Sequence, residues 1–158
     1  MPIPSPPLDS LLSAPADSIG HAALAAALAG AGHVLPLPDG PAIEQHVGQL
    51  ANGDPAVTAE LIATLLDTNQ YDLRNFCQAC MSGRWADARA SAHRIKSTAH
   101  LAGADSLAAL SQRIETLAQQ GRGDAVLALA AWYMETVGRL SQVLAACTVR
   151  GPARAGEP

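Results

Sequence analysis

His93 and Lys96 stand three residues apart in the run Arg89-Ala90-Ser91-Ala92-His93-Arg94-Ile95-Lys96-Ser97-Thr98-Ala99-His100-Leu101-Ala102-Gly103-Ala104. A neutral imidazole is a good nucleophile near pH 7, because histidine titrates in that range and one ring nitrogen keeps a free lone pair. A phosphoryl group carried on that nitrogen would add negative charge and oxygen acceptors, which call for a nearby cation. Lys96, one helical turn on, supplies it. At ~4 Å such a contact is worth about 1 kcal/mol in bulk water and about 4 in a partly desolvated site. The chemistry these two residues suit is phosphoryl carriage.

A helix must position them. Trp85, Ala88, Ala92, Ile95, Ala99 and Ala102 recur at steps of three and four and make one apolar stripe. At about 100° per residue, His93 lies roughly 130° from the centre of that stripe, on the wet side. A core histidine would sit inside it. Ala86, Ala90 and Ser97 fall on the same strip as His93, with Arg89 and His100 one and two turns away. Small side chains beside a nucleophile let the loops of another protein approach it, so this strip reads as a docking face. Leu101, about 150° from the stripe centre, is either a scattered surface apolar or an anchor for the partner.

The string Ala92-His93-Arg94-Ile95-Lys96-Ser97-Thr98-Ala99-His100-Leu101-Ala102-Gly103-Ala104 resembles the signature of histidine phosphotransfer (HPt) domains, A-H-x-L-K-G-S-A-x-x-L-G-A. Ala92, His93, Lys96, Ala99, Gly103 and Ala104 match it, and Ile95 and Thr98 are conservative replacements. Ser97 stands where the family usually has glycine, and Ala102 replaces a larger aliphatic. Similarity extends over about residues 54–145, through Asp54, Leu61 to Leu66, Tyr71-Asp72-Leu73 and Gly83-Arg84-Trp85 upstream, and Leu107, Leu110, Ile114-Glu115 and Gly121 to Asp124 downstream. It is closest to the C-terminal modules of hybrid sensor kinases. The resemblance implies a four-helix bundle in which His93 accepts a phosphoryl group from a receiver-domain aspartate and passes it to a second receiver. Lys96 would be the charge partner, while helical spacing, not the family signature, assigns Ala86, Arg89, Ala90, Arg94, Ser97, His100 and Leu101 to the docking face. Glu115 falls where the family often places a polar residue near the histidine, so it is either an imidazole-orienting group or a plain solvated carboxylate. The chain would hold no cofactor of its own, Mg²⁺ belonging to the receiver, and would work in the cytoplasm, alone or as the inner end of a membrane-anchored kinase.

The remaining elements follow from periodicity. Hydrophobics are 49% but aromatics only 3%, with no period-two alternation, which favours an all-α fold built on Leu, Val, Ile and Ala. Ile43, Val47 and Leu50 give a short accessory helix ending at Asn52-Gly53. Asp54-Pro55 caps the next, which runs to about Met81 with a bend expected at Asn69. The motif helix spans about 84–101. Leu107, Leu110, Ile114 and Leu117 carry a third long helix, closed by Gly121 and Gly123, and Asp124 is expected to cap the last, from Val126 to Leu144. Short connections make these antiparallel neighbours in an up-down four-helix bundle over residues 42–147. Residues 1–41 hold eight of the eleven prolines and read as a linker or N-terminal extension. Within it, the Ala-rich segment 16–31 is either a marginal helix or flexible, and too weak for a membrane span. Residues 148–158 read as a disordered tail.

Several function classes are set aside by composition. The net charge of −4 argues against nucleic acid, yet Arg84, Arg89, Arg94 and Lys96 sit within thirteen positions and suit an acidic partner pocket. Three cysteines give no disulfide framework. Cys77 and Cys80 form a C-x-x-C without a second pair at metal-binding spacing, and read as small core residues. His93 and His100, ~10 Å apart along a helix, are too far apart for one ion. No glycine-rich nucleotide loop appears, so the chain is expected to be a phosphocarrier without a kinase core, monomeric, with no secretion signal. The competing class is a helical interaction module whose histidine is incidental; the intact His93/Lys96 pair weighs against it.

Overall fold

The computed structural model describes residues 35–150. Among them are five helices and no strand: α1 Gly40–Leu50, α2 Pro55–Met81, α3 Trp85–Leu101, α4 Asp105–Gln119 and α5 Gly123–Arg150. The Ala-rich segment 16–31 and residues 151–158 lie outside the described residues.

Local chemistry sets the helix ends. The Asp39 side chain accepts from Ala42 N at 2.9 Å at the start of α1. Asp54 accepts from Ala56 N and Val57 N at the start of α2, with Pro55 in the first turn where no N–H is missed. Helices α2, α3 and α4 all stop the same way. Gly83, Gly103 and Gly121 take positive φ of 66°, 76° and 70°, a region only glycine enters freely. The following N–H then turns back onto a carbonyl of the last turn: Arg84 to Ala79, Ala104 to Ala99 and Arg122 to Leu117, at 2.8–3.0 Å. These tight stops reverse the chain within a few residues and make successive helices antiparallel.

Helix α3 packs between α2 and α4, and α5 closes the bundle by packing on both of those; α1 lies across α2 and α5. The expected stripe is the packed face of α3: Ala88, Ala92, Ile95, Ala99 and Ala102 are all fully buried, with Trp85 half-buried. Alanines there let the neighbouring helices approach closely. At the far side of the core Phe76 and Tyr133 meet edge to face, ring centroids 5.0 Å apart. The bundle is thus the all-α up-down arrangement that periodicity and resemblance imply.

Four local expectations need correction. Helix α2 runs through Asn69 without interruption, because that side chain turns inward and donates to Val137 O and Ser141 Oγ of α5 instead of competing for its own backbone. Asp124 does not cap α5; the helix already includes Gly123, and Asp124 lies exposed in its first turn, where its charge favours the helix N-terminus. A Cβ at Gly123 would collide with the Trp85 indole, so closeness of the two helix starts, as well as turn chemistry, calls for glycine there. The boundary expected at 41/42 falls too late: Leu35 is buried in the core and α1 begins at Gly40. The boundary expected at 147/148 falls too early, since α5 continues to Arg150.

Candidate functional site

His93 projects from the middle of α3 with 63% of its side chain exposed, opposite the buried stripe. One face of its ring is nonetheless held. Nδ1 lies 2.8 Å from Oε1 of Glu115, which rises from α4 and is itself only 8% exposed. An ionised carboxylate can only accept, so Nδ1 is the nitrogen that presents a hydrogen to it, and in the neutral ring the lone pair is then on Nε2. Glu115 thus stands buried against the ring and not out in solvent.

Lys96 uses the same carboxylate. Its Nζ donates to Oε2 of Glu115 at 2.5 Å and to Oε1 of Gln112 at 2.9 Å, and its side chain is only 19% exposed. One buried carboxylate therefore bridges imidazole and ammonium, using both oxygens. Sharing a counter-charge in a partly desolvated place makes each contact stronger than a surface pair. The result is a fixed nucleophilic nitrogen open to solvent beside a fixed cation.

The rest of the expected docking residues divide. Ala86, Arg89, Ala90, Ser97 and His100 are exposed, and Leu101 is 48% exposed. Ser97, in the place of the family's glycine, spends its hydroxyl on the His93 carbonyl at 3.2 Å, so it adds little bulk outward. Arg94 is exposed as well but also reaches inward. Its Nε donates at 2.6 Å to Oδ1 of Asp72, a fully buried carboxylate of α2, so its charge is committed inward even though the side chain is 47% exposed.

Two of these partners carried no sequence-level assignment. Gln112 lies three residues before Glu115, hence on the same face of α4, and that spacing is the signal for it. Asp72 falls in the series Ile62, Leu65, Asn69, Asp72, Phe76, Ala79, which steps by three and four; an acid in an apolar stripe announces a buried charge seeking a cation.

Cys77 is half-buried against Met134 and Cys80 is buried. Burial pushes both thiols up, Cys80 to about 11, which leaves them protonated near neutrality. Among the described residues no three His, Cys, Asp or Glu side chains are grouped to hold a metal ion, and no helix is long and apolar enough to cross a membrane.

The family model described as Hpt domain matches residues 60–147, more than half of the chain, from the second turn of α2 into α5. No curated protein and no solved structure matches the chain.

Proposed function

This chain belongs to the Hpt domain family, whose members carry phosphoryl groups on histidine in two-component signalling and have no kinase core of their own; on that premise we propose that His93 is its phosphoacceptor, that Lys96 is the charge partner of the phosphoryl group, and that Glu115 orients the ring. The observation that carries the reading is the bridged arrangement: Glu115 holds Nδ1–H, leaving Nε2 as an exposed nucleophile, and anchors Lys96 beside it.

The transfer then runs as follows. Nε2 attacks the phosphorus of an aspartyl phosphate on a donor receiver domain, the N–P bond forms, and the acyl P–O bond breaks with its electron pair returning to the aspartate. The ring becomes cationic as its lone pair is shared, and the Glu115 carboxylate on Nδ1–H offsets that charge. Onward transfer reverses these steps toward a second receiver's aspartate. The protonated Nδ1 keeps the imidazole a good leaving group. The receivers bring the carboxylates and Mg²⁺; this chain brings a positioned nucleophile and a surface. Ala86, Ala90 and Ser97 leave room over His93, and Arg89, His100 and Leu101 rim that space. The module so read works in the cytoplasm, where a hybrid sensor kinase would present its own receiver.

Incubating the protein with a panel of radiolabelled phospho-receiver domains, beside His93→Gln, tests the reading. Acid-labile, alkali-stable label on the wild type and none on the variant is the expected result. A helical, folded wild type left unlabelled by the whole panel would hand the protein to the interaction-module class.

A further inference from the structure

We propose that Gln112 is the positioning residue for Lys96, a second anchor that turns the ammonium toward the phosphoryl group instead of letting it collapse wholly onto Glu115. The inference rests on His93 being the phosphoacceptor. A lysine is a point charge on a flexible four-carbon stem, so a single anchor leaves it free to swing about that anchor. Here two acceptors on one face of α4, Glu115 Oε2 and Gln112 Oε1, hold Nζ between them at 2.5 and 2.9 Å. An ammonium has three N–H donors. Two are engaged in this way, which leaves one for a phosphoryl oxygen.

The amide of Gln112 is itself oriented. Its Nε2 reaches Thr116 Oγ1 at 3.4 Å, while that hydroxyl donates to the main-chain carbonyl of Gln112 at 3.0 Å. With its NH₂ turned to Thr116, the amide must show Oε1 to Lys96; the flipped amide would set donor against donor. Neutrality matters as well. A carboxylate at 112 would hold Lys96 equally well, but would place a second negative charge beside a dianionic phosphoryl group. A neutral acceptor positions the cation without competing for it. Thr116, Gln112, Lys96, Glu115 and His93 thus form one hydrogen-bonded chain from α4 to the exposed Nε2.

The test uses phosphoramidate, a small phosphoryl donor, so that partner docking does not enter the readout. The initial rate of labelling is measured for wild type, Gln112→Met, Lys96→Met and the double variant, each corrected by its His93→Gln counterpart for label on other histidines. Gln112 is exposed, so urea unfolding of Gln112→Met should match the wild type. The expected rate loss for Gln112→Met is about tenfold, the scale of one hydrogen bond to a charged group. In the Lys96→Met background the same change should cost nothing further, since it acts only through Lys96. A wild-type rate in Gln112→Met, or an equal loss whether or not Lys96 is present, overturns the inference. Absence of any His93-dependent label on the wild type overturns it together with the reading beneath it.

Discussion

Two carboxylates flank α3, one from each helix packed beside it, and each reaches a cation of α3 within three residues of His93. On the α4 side Glu115 uses both oxygens, one on His93 Nδ1 and one on Lys96 Nζ. On the α2 side fully buried Asp72 gives one oxygen to Arg94 Nε, and its Oδ2 has no hydrogen-bond partner among the described residues. The materials are nearly the same: an acid at the seam, a base on α3, a short charge-assisted bond. Their surroundings differ. Glu115 lies under an exposed imidazole, and its second oxygen couples a nucleophile to a cation. Asp72 lies inside the bundle, where a carboxylate without its cation costs several kcal/mol of desolvation. On the proposed reading one carboxylate therefore organises chemistry, while the other fastens α3 to α2. What separates the roles is whether the second oxygen can reach a group that meets solvent.

The largest effect expected from breaking this comparison is on the α4 side. Glu115→Ala frees the imidazole to rotate and to change tautomer, and removes the main anchor of Lys96. Phosphoryl transfer from a labelled receiver should fall about 100-fold, as when one preorganised charge-stabilising group is lost from an active site. The urea unfolding free energy should change by only about 1 kcal/mol, since both former partners can turn to water. Arg94→Met should do the reverse. It strands Asp72, and because Arg94 is 47% exposed the loss falls below that of a fully buried pair, at about 2 kcal/mol. Transfer per folded molecule should stay within about twofold of wild type on the same reasoning, the Glu115 bridge being intact. Slow transfer by Arg94→Met at unchanged stability would erase the distinction between the two sides.

How much of this was legible in the sequence follows from which distances are local. His93, Lys96 and the stripe behind them lie on one helix, where spacing alone fixes who shares a face, so the exposed side of His93 and the buried alanines can be read off the chain. The helix stops at Gly83, Gly103 and Gly121 are equally local. Glu115 and Gln112 face each other's neighbours only once the register of α4 on α3 is known. That register depends on how the Gly103 turn closes and how the alanine stripe seats, neither of which periodicity reports. Glu115 could therefore be named from the resemblance but not chosen over a solvated role. Asp72 shows the opposite failure: its place in an apolar stripe was visible, while its partner, on the next helix, was not. Arg94 was accordingly assigned outward. Asn69 was misjudged for a related reason, since its partners Val137 and Ser141 lie on another helix and leave the run of α2 unbroken.

The smallest effect, and the one that sharpens the comparison on its outer surface, concerns Leu101. Eight residues after His93, it lies about 80° around α3 from it, toward the α2 side and close to the rung of Arg94. On the proposed reading the α2 side also meets the partner, along a strip that holds side chains as small as Ala90 and Ser97. Half-exposed Leu101 stands proud of Ser97, one turn before it. It is also far from the Glu115 bridge along the helix, so changing it leaves the chemistry untouched. Leu101→Glu should raise the KM for a phospho-receiver about fivefold, near 1 kcal/mol, with kcat unchanged, the scale expected of one apolar contact at an interface. Labelling by phosphoramidate should not change at all, because no docking is involved. An unaltered KM would confine the docking surface to the α4 side, around Arg89 and His100, and would leave the α2 side with its fastening role alone.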